Sequence, residues 1–293
     1  MAEVLSPPDD ARHVLGPGEH EAFYFAFTAP DGSVFGILRT LFGHDSVLEI
    51  LVLNVQGTTW FHQSTGGIQP GLSDLDASGP SLQLRRIRPW EAWFCSFCGP
   101  VWNSAGQEAP LLLQLAFTAT TPPDQYIFGL YTQAQQDGRL RGHIGIGPTN
   151  LDGEWLCYRD HSWGVRPMGV ALGWTVAWVP ERLYAVQVET SQGPAGFGRF
   201  VAADSTAHPL RLPQVTPLPD GGRIGEPEVG LEPWTFARIA SPLVAYLGPA
   251  GHEAFRSTPL PGDLLQDELG PARFISPEGE PFTGFLEQAR RLR

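Results

Sequence analysis

The sequence predicts an all-β protein, and three observations carry the prediction. Apolar residues recur with a two-residue period in many short runs. Turn formers are dense, with 28 prolines and 34 glycines in 293 residues, so long helices are not expected. Charged residues make up only 17% of the chain beside nine tryptophans, which supplies large rings for the inner faces of sheets. A chain of this length can bury a real core, as two modest domains or one large one.

Residues 1–20 read as a loose Pro/Gly lead-in. Phe23, Phe25 and Phe27 then alternate with Tyr24 and Ala26, a strand with one aromatic face. Pro30-Asp31-Gly32 signals a turn, 34–42 resumes the β-pattern, and 47–55 is apolar on nearly both faces, as a central strand should be. The stretch 65–80 reads as a long loop of the kind that forms lids or binding edges. Strands are expected within 81–88, up to Phe97, at 111–119 and at 126–132. The pairs Asp137-Gly138 and Asp152-Gly153 predict two hairpins that deliver the chain to the segment beginning at Tyr158. Beyond it, Trp174, Val176 and Trp178 share one strand face, and Tyr184, Val186 and Val188 share a face of the next. Residues 197–202 continue the meander. The stretch 207–233 predicts irregular structure with short edge strands, 234–246 returns to β, and 282–288 forms a last strand.

Several functions are disfavoured by composition. A net charge of −12 repels nucleic acid and anionic membranes. All 19 cations are arginine, which removes Schiff-base and pyridoxal chemistry and a P-loop lysine. The first ten residues have neither the basic start nor the apolar run of a signal peptide, and no segment has the 18 or so apolar residues of a membrane span. Three cysteines do not make a disulfide framework, so a cytoplasmic protein is expected. Cys95 and Cys98 have thioredoxin spacing, but Gly99-Pro100 follows and opposite strand faces would separate the thiols. The glycine runs at 142–147 and 193–198 open no helical pattern and read as strand ends; His20-Glu21 lacks the second histidine of a zinc-protease helix. Neither a metal nor a cofactor is expected.

The densest chemistry lies at 158–166, where Tyr158, Arg159, Asp160, His161, Ser162, Trp163 and Arg166 crowd into nine residues. A carboxylic acid here neighbours a group that titrates near neutral pH and an indole face that can steady a cation. On a straight strand, however, Tyr158, Asp160 and Ser162 point one way and Arg159, His161 and Trp163 the other, so Asp160 and His161 share a site only if the backbone bends. The structural alternative pairs Asp160 with an arginine and buries Trp163 in core.

This stretch, preceded by Asp152-Gly153-Glu154, resembles the Asp-His-(Ser/Gln)-Trp-Gly signature of the carotenoid 1,2-hydratase (hydroxyneurosporene synthase) group and its AttH-like, lipocalin-like relatives. The Phe-Tyr-Phe strand with Pro-Asp-Gly at 23–32 and Gly284-Phe285-Leu286-Glu287 support the likeness. The resemblance implies two tandem lipocalin-like β-barrel or β-sandwich domains, 1–165 and 166–293, with an apolar small-molecule ligand. It implies a cofactor-independent hydratase, lyase or cyclase acting on a terpenoid-like alkene, or else a carrier of such a ligand. By matching position Asp160, His161 and Trp163 are the catalytic candidates. Tyr158, Arg166, Trp174, Trp178 and Tyr184 are the candidate ligand contacts, although Arg166 could equally form a salt bridge and the aromatics could be ordinary core. Oligomeric state is left open.

Overall fold

The structure, a computed structural model, describes residues 5–68, 76–128, 130–165, 171–202, 204–218, 221–247, 253–255 and 258–292. The chain divides into two compact units, Met1–Ala29 with Ser33–Arg166, and Pro30–Gly32 with Pro167–Arg293. Both are built of antiparallel strands, giving the two tandem β-domains expected. Among the described residues no helix is long and apolar enough to cross a membrane.

The first unit contains β1 (His20–Thr28), β2 (Val34–Phe42), β3 (Ser46–Val55), β4 (Thr58–Gly67), β5 (Gln83–Arg88), β6 (Ala92–Asn103), β7 (Glu108–Ala119), β8 (Asp124–Phe128), β9 (Tyr131–Ile146) and β10 (Thr149–Gly164). Pairing runs β1-β2-β3-β4-β6-β7-β9-β10, and β10 pairs back onto β1, so the ladder closes on itself. β5 lies along β6 and β8 along β9. Closure leaves β10 hydrogen-bonded on both sides and removes the exposed edge that a long apolar strand would otherwise present. The inward face of β1, Phe23, Phe25 and Phe27, packs with residues such as Trp93, Leu113 and Phe117 from across the ring. Side chains thus form a contiguous core inside this barrel.

Neither Asp-Gly pair makes a hairpin. Asp137 and Gly138 lie inside β9 opposite Tyr158 and Cys157, and Asp152 and Gly153 lie inside β10. The ring of Phe117 occupies the space where a Gly138 side chain would stand, so that glycine serves packing within a strand. The turn falls instead at Gly147, whose φ of 54° is the left-handed conformation a tight connection needs. Gly142 is likewise inside β9 and not at its end. The 65–80 loop begins later than expected, because β4 continues to Gly67; residues 69–75 lie outside the described residues.

The second unit contains β11 (Ala171–Val179), β12 (Leu183–Thr190), β13 (Gly193–Val201), β14 (Ala207–Leu210), β15 (Gln214–Leu218), β16 (Gly221–Glu226), β17 (Leu231–Arg238), β18 (Leu243–Leu247), β19 (Glu253–Phe255), β20 (Leu265–Ile275) and β21 (Pro281–Arg291). Their order is β14-β13-β12-β11-β21-β20-β17-β16-β15, with β18 between β20 and β19. The short strands β14 and β15 stand at the ends of this order, as the Pro/Gly density of 207–233 predicts. β20 contains Gly270-Pro271, a pair that disfavours an unbroken strand. Its proline is tolerated because it falls between the part of β20 that pairs with β18 and the part that pairs with β17. Ala177, Val179, Leu183, Ala185, Phe274 and Leu286 belong to this unit's core cluster.

A candidate acid-base site at one end of the barrel

Strand alternation sorts the 158–166 segment without any bend. β10 runs regularly to Gly164, with His161 opposite Phe23 and Trp163 opposite Glu21 on β1. Arg159, His161 and Trp163 therefore share the inward face with Glu21, Phe23 and Phe25, while Tyr158, Asp160 and Ser162 lie on the other face. The structure does not bring Asp160 and His161 together. On its own face Asp160 accepts from the Gln133 amide and, at 3.3 Å, from the Tyr158 hydroxyl.

What joins His161 is a carboxylate from the first strand. Glu21 is fully buried, and its Oε1 lies 2.9 Å from Nε2 of His161 and 2.7 Å from Nδ1 of His13. The backbone N–H of His13 also donates to both Glu21 oxygens, at 3.1 and 3.0 Å. Burial alone would raise the Glu21 pKa. Hydrogen bonds from the two histidines and their charges outweigh burial and hold the carboxyl below its usual range. For His161 burial dominates and keeps the imidazole below its ordinary value, with the Arg159 charge adding to the effect and Glu21 offsetting it in part.

The contact with the carboxylate sets the tautomer. An ionised carboxylate only accepts, so a neutral His161 carries its proton on Nε2 and presents Nδ1 as a lone pair. That Nδ1 is buried and has no hydrogen-bond partner among the described residues. The ring is held by aromatic neighbours: Phe23 stacks on it at 4.1 Å, Trp163 lies at 4.8 Å and Trp90 at 6.3 Å between centroids. Trp163 also stacks on His13 at 4.5 Å. His13 is the outer member of the group, its side chain 26% exposed.

A second polar contact fastens the lead-in beside this group. Asp10 is fully buried; it accepts from Nη2 of Arg159, from the Trp90 backbone N–H at 2.7 Å and from Nε1 of Trp93 at 3.3 Å. The Arg159 guanidinium also donates to Gln136 at 2.9 Å and lies over the rings of Trp93, Trp90 and Phe25 at 4.8, 5.2 and 5.9 Å. Residues that read as a loose lead-in thus supply both Asp10 and His13.

No protein-family model matches the chain, and no curated protein matches it by sequence. Solved structures do. A candidate AttH from Nitrosomonas europaea matches at a TM-score of 0.71 and 12% identity, over 99% of this chain and 98% of that one. Kievitone hydratase from Nectria haematococca matches at 0.64 and 11%, over 98% and 93%. CghA matches at 0.55 and 11%, over 95% and 89%, and has also been solved with Sch210972. The chain has the AttH-like fold.

Within that fold the remaining expected site residues scatter. Trp174, Trp178 and Tyr184 belong to the second unit, on the sheet face opposite its core cluster, with Trp178 paired to Tyr184 in register. Trp178 and Tyr184 are buried, and Trp174 donates to Glu287 at 2.5 Å. Arg166 lies outside the described residues. Cys95 is buried and Cys98 exposed, on opposite faces of β6.

Proposed function

We propose that the protein catalyses proton transfer on an alkene-bearing, apolar, terpenoid-like small molecule without a cofactor, as a hydratase, lyase or cyclase. The observation that carries this is His161, a fully buried imidazole with Nε2 fixed on a buried carboxylate and Nδ1 left as an unpartnered base. In this reading Nδ1 takes a proton from the reacting molecule or from the water that adds to it, and returns it at the neighbouring carbon. Glu21 orients the ring and stabilises the imidazolium that forms, the role a carboxylate plays toward histidine in hydrolytic triads. Trp163, 4.8 Å from the ring, offers a π-face to that imidazolium. Glu21, and not Asp160, is in this reading the carboxylate beside His161. The name of kievitone hydratase, a protein of the same fold, supports addition of water as the reaction type.

The test is uptake of solvent label. Kievitone and a panel of acyclic terpenoid alkenes are incubated with the protein in H2(18)O and in D2O, and products are read by mass. Wild-type protein is expected to incorporate solvent atoms, and a folded His161→Gln variant to be slower by about 100-fold or more. Equal turnover by that variant overturns the assignment.

A second reading, a carrier for an apolar molecule, is favoured by the lead-in, whose Asp10 and His13 lie against the same inward groups. A carrier keeps its ligand and shows no label uptake in either protein.

A further inference from the structure

The His13–Glu21–His161 group contains a donor set that proton transfer does not exhaust. Three side chains from three parts of the chain, the lead-in, β1 and β10, converge so that one ligand atom of each lies within 4.8 Å of the others. We propose that these residues form a binding site for a zinc-class divalent ion.

The chemistry of the donors fits such an ion. Two imidazoles and one carboxylate form a His2Glu set, which leaves a tetrahedral ion one position for water or another ligand. Glu21 is fully buried, and the groups it accepts from are the two imidazoles and the His13 amide, so its charge has no arginine counterion in these contacts. Replacing two N–H···O contacts of 2.7 and 2.9 Å by bonds of about 2.0–2.2 Å to a shared ion opens each nitrogen–oxygen pair slightly and draws the two imidazole nitrogens, which lie within 4.8 Å of each other, closer together.

The change of tautomer is also accessible. To offer Nε2 to the ion, His161 must carry its proton on Nδ1. That nitrogen has no partner among the described residues, so the move breaks no hydrogen bond there but leaves an unpaired buried N–H that the metal bond must offset. Trp163, stacked on His13 and 4.8 Å from the His161 ring, already limits the motion of both imidazoles.

A second buried pair supplies the contrast. Glu49 accepts from Nε2 of His62 at 2.8 Å, but its Oε2 is taken by the backbone N–H groups of Ser81 and Leu82, both at 2.8 Å. No third ligand joins it among the described residues, and backbone N–H groups close the pair.

The proposal stands apart from the acid-base reading, because an ion on Nε2 removes the hydrogen bond that orients His161. A loaded site and a working base exclude one another, and ion binding is measured without any substrate. The experiment titrates metal-free protein with Co(II) alone and follows ligand-field absorption, with calorimetry using Zn(II) for stoichiometry. One ion should bind with a four-coordinate cobalt spectrum. Affinity should fall by at least 10–100-fold in His13→Ala and in Glu21→Gln. It should be unchanged in His143→Ala, whose ring meets only a mostly exposed Asp152 in the ion pair described. Because Glu21 is buried and its replacement costs stability, the partly exposed His13 is the deciding position, with circular dichroism confirming its fold. Absence of wild-type binding, or binding that His13→Ala leaves intact, overturns the site whatever the outcome of the label-uptake assay.

Discussion

Asp10→Ala should be among the most destabilising single changes in the first unit. Asp10 is 0% and Arg159 1% exposed, so truncation leaves a guanidinium buried without its carboxylate. It also strips the acceptor from the Trp90 amide and the Trp93 indole. Breaking a buried pair from one side costs about 3–5 kcal/mol, because the remaining charge is uncompensated. Arg159 keeps Gln136 and its aromatic cage, which places the expected loss near the lower end, about 3 kcal/mol. Arg159→Met in the same chain removes the orphaned charge and puts an apolar side chain among Trp90, Trp93 and Phe25. The double variant should therefore recover most of the loss, to within about 1 kcal/mol of wild type. Urea unfolding read by hydrogen exchange of β1 and β10 amides keeps the transition specific to the first unit. A loss below about 1 kcal/mol for Asp10→Ala, or a double variant no better than the single, would show that the lead-in is not fastened through this pair.

Acid should destabilise the protein in two stages. The unfolded chain takes a proton on His161 as pH falls below about 6.5 while the folded ring resists, and on Glu21 below about 4.5, so both contributions are present at neutral pH and lost downward. His161→Gln should flatten the upper stage in urea midpoints measured between about pH 7 and pH 5. Gly138→Ala places a Cβ against the Phe117 ring and 2.6 Å from the Thr118 carbonyl oxygen, and should cost about 1–3 kcal/mol in thermal or urea unfolding. A maleimide should label Cys98 in the folded protein and spare Cys95 and Cys157, whose thiols burial pushes far up, until urea exposes them. Asp160→Asn should leave solvent-label uptake within a few-fold of wild type, since its contacts lie on the other face from His161; a loss matching that of His161→Gln would return the acid role to it.

Much of the scaffold was legible because alternation survives in short strands. The Phe23, Phe25, Phe27 face and the Trp174, Val176, Trp178 face follow the alternation that the sequence shows. The Asp-Gly pairs misled because that dipeptide signals a turn only where the backbone turns, and in β9 a glycine makes room for a ring. The site was half legible. His161 and Trp163 stood out by local density, but their partners lie 140 and more residues earlier, in Glu21 and in a lead-in that has no periodicity. One signal was available: Glu21 has the spacing of Phe23, Phe25 and Phe27, and a carboxylate in line with three buried rings must find a partner.

The doubly paired β10 carries a mechanical consequence. Its ladder with β9 and its ladder with β1 lock its frame from both edges, so the strand cannot slide alone. Deleting a single residue upstream, between 149 and 157, would shift the phase of everything after it. The imidazole would rotate outward and the aspartate inward, trading a base for an acid on the inward face without changing either side chain.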